Sequence, residues 1–116
     1  MSLRTPLTDL VGIEHPVVQT GMGWVAGARL VSATSNAGGL GILASATMTL
    51  AELQTAVTKV KAATDKPFGI NIRADAGDAN ERVDLLIREG VKVASFALAP
   101  KPDLIARLKE AGVVVI

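Results

Sequence analysis

Cysteine is absent from this chain, and with it go disulfides, thiolate nucleophiles and cysteine-ligated zinc or iron–sulfur sites. Histidine occurs once, as His15, so no histidine cluster can hold a metal and no second histidine can act as a base. Tyrosine is missing, and one Trp and two Phe make up 3% aromatics, which leaves no stacking platform for single-stranded nucleic acid. Charge of one sign is lacking as well. Twelve basic residues against eleven acidic ones give a net charge of +1, with no field to attract nucleic acid or an anionic membrane. No run approaches the roughly 18 apolar residues that a membrane span needs. The opening MSLRTPLTDL places Thr, Pro, Thr and Asp where a signal peptide requires an apolar core. These absences lead us to expect a soluble, cytoplasmic protein with no metal, no nucleic-acid partner and no membrane partner.

What is present is a globular mixture of 49% hydrophobic and 20% charged residues over 116 positions, enough for one domain at most. Short apolar segments alternate with helix-like ones. Val17 to Gln19 reads as a first strand, Ala28 to Ala37 as a helix stopped by Gly38-Gly39, and Leu40 to Ala44 as a second strand. The clearest helix is predicted over Thr49 to Ala63. Thr49 and Glu52 form a capping box, and Leu50, Leu53, Val57 and Val60 make one apolar stripe. Phe68 to Ile72 is the third strand. A helix opened by Asp78 or Asn80 carries Val83, Leu86 and Ile87, and Val91 to Ala97 is the fourth strand. A last helix starts at Pro102, carries Leu104, Ile105 and Leu108, and leads into Val113 to Ile116.

Two junctions repeat the same order of apolar, basic, Glu, Gly and Val: Ile87 to Val93 and Leu108 to Val114. The strands are continuous and β-branched, without polar alternation, as strands covered by helices in a parallel sheet are. An open doubly wound sheet and part of a (βα)8 barrel both satisfy this pattern.

The most marked local feature follows the first strand. Gly21, Gly23 and Ala26 satisfy the G-x-G-x-x-G/A dinucleotide fingerprint, but that fingerprint requires an acid about 20 residues on. Leu43-Ala44-Ser45-Ala46 stands there instead, which weakens a nicotinamide-binding reading. The glycines then either make a tight turn or let the backbone lie flat against a planar ring. Gly38-Gly39-Leu40-Gly41 precedes a strand and lacks the Lys-Ser/Thr of a phosphate loop, so it reads as a helix stop with close strand packing. His15 lies before the first strand, at the wrong end for a base. In parallel α/β folds, sites gather at the carboxyl ends of strands. Those ends hold Gln19 to Gly23, Ala44-Ser45, Asn71 to Arg73, and Ala97 to Pro100, with no Asp, Glu, His or Lys for acid–base or covalent chemistry. An apolar and neutral-polar surface of that kind suits a bound aromatic cofactor. Asn71 can hydrogen-bond a heterocycle edge, and Arg73 is either an anion contact or a surface residue.

Three motifs in order, His15 to Val25, Ser35 to Leu43 and Asp65 to Ile72, resemble the opening of the nitronate monooxygenase (2-nitropropane dioxygenase-like) family. This group also includes FMN-dependent enoyl-acyl carrier protein reductases and actinobacterial oxidoreductases of steroid ring breakdown. The resemblance covers nearly the whole chain. It implies a TIM barrel with FMN over the C-terminal strand ends. The cofactor contacts it implies are Gly21, Met22 and Gly23 through their backbone, and Asn71 through its side chain. Gln19 and Trp24 are weaker candidates. Ala97-Leu98-Ala99-Pro100 departs from the glycine-containing turn that relatives often have. The family's catalytic His and its phosphate loops lie beyond the fifth strand, so no catalytic residue is assigned here. A complete barrel takes about 250 residues.

The resulting expectation is that residues 1–116 are the N-terminal half of a single FMN-binding barrel, four βα units and a fifth strand. The parent enzyme would oxidise a nitronate or related small molecule with oxygen, or act as an enoyl or steroid-catabolic reductase or dehydrogenase. The half alone would be inactive, a fragment that assembles with the missing half or with itself.

Overall fold

Helices and short strands alternate along residues 3–116, the part of the chain that the computed structural model describes. They are α1 (Pro6–Val11), β1 (Val18–Gln19), α2 (Ala28–Asn36), β2 (Leu40–Ala44), a 3₁₀ turn (Ser45–Thr47), α3 (Leu50–Ala63), β3 (Phe68–Arg73), α4 (Ala79–Arg88), β4 (Val93–Ala97), α5 (Pro102–Glu110) and β5 (Val114–Val115). The strands form one parallel sheet in the order β1-β2-β3-β4-β5.

Local chemistry accounts for most of the boundaries. The side chains of Thr49 and Glu52 each accept from the other's backbone N–H, closing the capping box that starts α3. Leu53, Val57 and Val60 are fully buried along that helix, each stabilising it by about 1.5–3 kcal/mol. Leu50, the expected start of the stripe, stands partly in solvent, and Ala56 is buried in its place on the sheet side. The repeated junctions behave alike. Gly90 (φ 69°) and Gly112 (φ 78°) follow α4 and α5 in left-handed backbone, which glycine adopts without a Cβ penalty.

The first helix, α1, has no counterpart in the sequence reading. Thr5 and Thr8 form a reciprocal capping box around Pro6, with Thr5 N–H to Thr8 Oγ1 at 2.8 Å and Thr8 N–H to Thr5 Oγ1 at 3.2 Å. At six residues the helix is too short for a periodic signal.

Two apolar clusters lie on the two faces of the sheet. On one face Leu43, Ile70, Ile72 and Ala94 pack with residues of α2, α3, α4 and α5. On the other, Val11 and Ile13 from α1 and its following turn cover Leu40, Ile42 and Val93. A doubly wound sheet reverses its strand order and carries crossover helices on both faces. Here the order is sequential and α2 to α5 share one face, so the fold is of the parallel βα-barrel type, with four βα units and a fifth strand.

The approach of α2 to β2 is especially close. A Cβ on Gly41 would come within 2.9 Å of Val31 Cα and 3.0 Å of Val31 C. Ser35 Oγ donates to Pro67 O at 2.9 Å and accepts from Gly41 N–H at 3.3 Å, tying the helix to the sheet. The Gly38 to Gly41 segment is therefore a helix stop and a packing surface, as its position before a strand suggested.

Candidate functional site

Parallel register brings every strand's C-terminus to one end of the sheet. Ala44, Asn71 and Ser95 stand level on consecutive strands, with Arg73 and Ala97 one layer further. The two-residue period places them on the face that carries Ile42 and Val93, opposite α2 to α5. Asn71 is half-buried. Its Nδ2 donates to Ser95 Oγ at 2.7 Å, and its backbone oxygen accepts from Ser45 Oγ at 2.6 Å. Both serines are buried.

The loop after β1 closes over this layer. A Cβ on Gly21 would lie 2.7 Å from Asn71 Cβ and 3.4 Å from Leu43 O, so the loop passes over β2 to touch β3. Two residues on, a Cβ on Gly23 would meet Thr47 Cγ2 at 3.0 Å, and Trp24 N–H donates to Thr47 Oγ1 at 3.2 Å. The space that these two glycines leave is thus filled by the chain's own Asn71 and Thr47. Met22, between them, is 42% exposed. The structure therefore brings Gly21 and Asn71 into contact and holds Met22 and Gly23 in the same loop. Gln19, at the end of β1, donates from Nε2 to Ile42 O at 3.1 Å and to Thr20 O. Its Oε1 is buried and meets no donor among the described residues.

Ionisable groups take little part. Arg73 grips Asp75 with two hydrogen bonds, Nε to Oδ1 at 3.0 Å and Nη2 to Oδ2 at 2.8 Å. This bond holds the Asp75 carboxyl below its usual range and keeps the guanidinium charged. Arg73 is exposed, and its fork is occupied by Asp75 rather than open to an anion. His15 lies half-exposed before β1, at the opposite end of the sheet, with Nε2 3.7 Å from Glu14 Oε1. No group of three or more His, Cys, Asp or Glu is placed to hold a metal among the described residues. Likewise, no helix among them is long and apolar enough to cross a membrane.

The sequence reading missed Arg82. This buried guanidinium donates to Ser45 O, to Met48 O at 2.7 Å and to Asp78 Oδ1 at 3.0 Å. It fixes the 3₁₀ turn that carries Thr47, and through Thr47 the loop after β1. The i,i+4 spacing of Asp78 and Arg82 was a visible signal, but such pairs usually mark a solvated helix face. A concavity of about 460 Å³ between α3 and α4, lined by Leu50, Gln54, Asp84, Leu85 and Arg88, belongs to the outer helix layer and is separate from the strand ends.

A sequential parallel sheet with its helices α2 to α5 on one face defines a parallel α/β barrel-type frame. The chain belongs to the nitronate monooxygenase family, whose profile matches residues 4–84. A protein from Mycobacterium tuberculosis named (3aS,4S,5R,7aS)-5-hydroxy-7a-methyl-1-oxo-octahydro-1H-indene-4-carboxyl-CoA dehydrogenase is 84% identical over all 116 residues, which are 33% of its own length. FabK from Thermotoga maritima superimposes with a TM-score of 0.93 at 40% identity, over 98% of this chain and 37% of its own. Nitroalkane oxidase from Streptomyces ansochromogenes gives a TM-score of 0.81 at 28% identity, over 96% of this chain and 41% of its own. The chain thus spans about a third of the length of the curated relative named here.

Proposed function

We propose that residues 1–116 are the N-terminal half of a single FMN-binding barrel domain and supply one wall of its flavin pocket. The observation that carries this reading is the neutral layer at the strand ends. Gly21 rests on Asn71, Asn71 is anchored to Ser95, and the nearby guanidinium is taken by Asp75. A planar, uncharged ring fits this layer. The backbone of Gly21, Met22 and Gly23 would line the ring, and the amide of Asn71 would hydrogen-bond its edge. Gln19 Oε1, at the end of β1, is a buried acceptor without a donor and would suit a ring N–H. FMN would supply the hydride or electron transfer that these side chains lack. The chain's own residues orient and exclude water; none is placed to move a proton.

The 84% identity to a bicyclic acyl-CoA dehydrogenase favours dehydrogenation of an alicyclic acyl-CoA as the parent reaction. Oxidation of a small nitronate is the second reading, supported by the family profile. A visible absorbance scan with an intact mass, followed by turnover of each substrate with an artificial electron acceptor, separates them. Flavin bands with acyl-CoA turnover support the first reading. Flavin bands with nitronate turnover alone support the second, and flavin-free full-length protein excludes both.

The 116-residue chain by itself would be inactive and would pair with the missing half or with another copy. The observation behind this is the pair of short outermost strands, β1 and β5, each paired on one side only. The apolar residues Leu40, Ile42 and Val93 on the sheet face away from α2 to α5 are already covered by Val11 and Ile13. Light scattering tests it: a sharp peak at the 12.0 kDa chain mass, with cooperative unfolding, would refute it.

A further inference from the structure

Among the described residues, two that are not glycine have positive φ: Trp24 at 60° and Leu98 at 70°. Left-handed backbone is unfavourable for bulky L-residues, and such strain persists only where the surroundings impose it. Both residues stand at C-terminal strand ends, Trp24 in the loop after β1 and Leu98 directly after β4. Neither is strained in order to fill the core formed by residues 3–116, where Trp24 is 91% exposed and Leu98 60%. Glycine would relieve the backbone at either position, yet each carries a large apolar side chain.

The support beneath Trp24 is rigid. Its N–H is held by Thr47 Oγ1, Ala26 N–H donates to Met22 O at 2.8 Å, and Arg82 pins the 3₁₀ turn. Met22 and Val25 beside it are exposed as well. Neither the loop from Thr20 to Gly27 nor the segment from Phe96 to Pro100 contains an ionisable residue. Between them, at the end of β3, Arg73 is closed on Asp75, so the surface suits a neutral, apolar group better than a small anion. The Trp24 N–H is held by Thr47 beyond the end of β2 and Leu98 follows β4, two strand positions away, about 10 Å at the usual strand spacing. A pair of fused saturated rings fits within that span.

We propose that Trp24 and Leu98 are specificity-determining residues, apolar walls on either side of the saturated ring system of an alicyclic acyl thioester. This rests on the reading of the strand ends as the cofactor wall and adds the residues that choose the substrate. The strain at both positions is retained because the side chains contact substrate.

The test isolates Trp24 emission in the full-length protein as the difference between wild type and Trp24→Phe. Titration uses the CoA thioester of a methyl-octahydroindene carboxylic acid, with butanoyl-CoA and CoA as controls and calorimetry to measure binding. The expected result is a saturable blue shift with the bicyclic thioester alone. The kcat/KM ratio of bicyclic to linear thioester should fall roughly tenfold or more in Trp24→Ala and Leu98→Gly, as loss of apolar pocket contacts implies, and less in Trp24→Phe. Leu98→Gly should keep or raise Tm, which separates lost contact from lost fold. Binding without a response from Trp24, or emission that is already blue and insensitive, overturns the proposal, as do unchanged ratios. Absence of bound flavin would instead count against the cofactor reading. Absence of thioester binding by calorimetry would overturn the proposed occupant.

Discussion

Gly21 lies so close to Asn71 that a Cβ built on it would stand 2.7 Å from the Asn71 Cβ. The loop after the first strand and the third strand are therefore fitted to each other across the second. Gly21→Ala should force one of them to move, at a cost of about 1–3 kcal/mol for an overpacked site. Because the clash is between Cβ atoms, Asn71→Ala should leave it in place and Asn71→Gly should relieve it. A double-mutant cycle by urea unfolding should then show positive coupling for Gly21→Ala with Asn71→Gly. Strict additivity would mean that the two residues do not share this space.

Gly41 meets backbone rather than a side chain. Its missing Cβ would press on Val31 Cα at 2.9 Å, inside a helix that cannot give locally. Gly41→Ala should therefore cost about 3 kcal/mol or more, at the upper end for overpacking. Denaturant midpoints measure this, and a loss under 1 kcal/mol would contradict the packing described.

Arg82 satisfies two carbonyls and one carboxylate from a buried position. Arg82→Met should leave the Ser45 and Met48 carbonyls without a donor and Asp78 without its partner, destabilising by about 2–4 kcal/mol. Arg82→Lys should recover only part, since a point ammonium cannot reproduce the planar fork. Thermal denaturation of the two variants checks both statements.

The acid side of the stability profile follows from three carboxyls. The Arg82 hydrogen bond lowers the Asp78 pKa, the Arg73 hydrogen bond lowers that of Asp75, and the Thr49 backbone and hydroxyl lower that of Glu52. A depressed folded-state pKa adds stability that is present above the unfolded value and is lost as pH falls through the folded one. Tm should thus hold near neutrality and fall below about pH 4, the ordinary range of these groups. In Asp78→Asn the fall should be shallower. An equal slope in wild type and variant would show that this pair contributes nothing to the acid transition.

Much of this architecture was legible in the residues. The Thr49–Glu52 box, the Leu53, Val57 and Val60 stripe and the Gly90 and Gly112 stops are local devices, and each acts where its spacing placed it. Strand edges were less legible. β4 begins at Val93 rather than Val91, and β5 is Val114–Val115 rather than four residues, because pairing ends a strand and propensity does not. Helix α1 escaped because one turn and a half carries no period. In the site, the sequence pointed to Gly21 and Asn71 separately, while nothing in it joined Asn71 to Ser95 or Arg82 to the Ser45 turn. Those partners are 24 and 37 positions apart.

The sequence by itself determined the alternation of strand and helix, the neutral character of the strand ends and the lack of any thiol or histidine cluster. These follow from residue type and short spacing, which a single chain displays directly. Only the tertiary structure decided between an open doubly wound sheet and a barrel-type one, since the side of the sheet on which helices pack is a long-range choice. It also decided what the glycines are for. Composition allowed the backbone to approach something closely, and packing shows that Asn71 and Thr47 are seated where the missing Cβ atoms of Gly21 and Gly23 would be, which ties this loop to the strand ends. And it alone revealed the two left-handed residues after β1 and β4, Trp24 and Leu98, because φ is set by the contacts around a residue and not by its name.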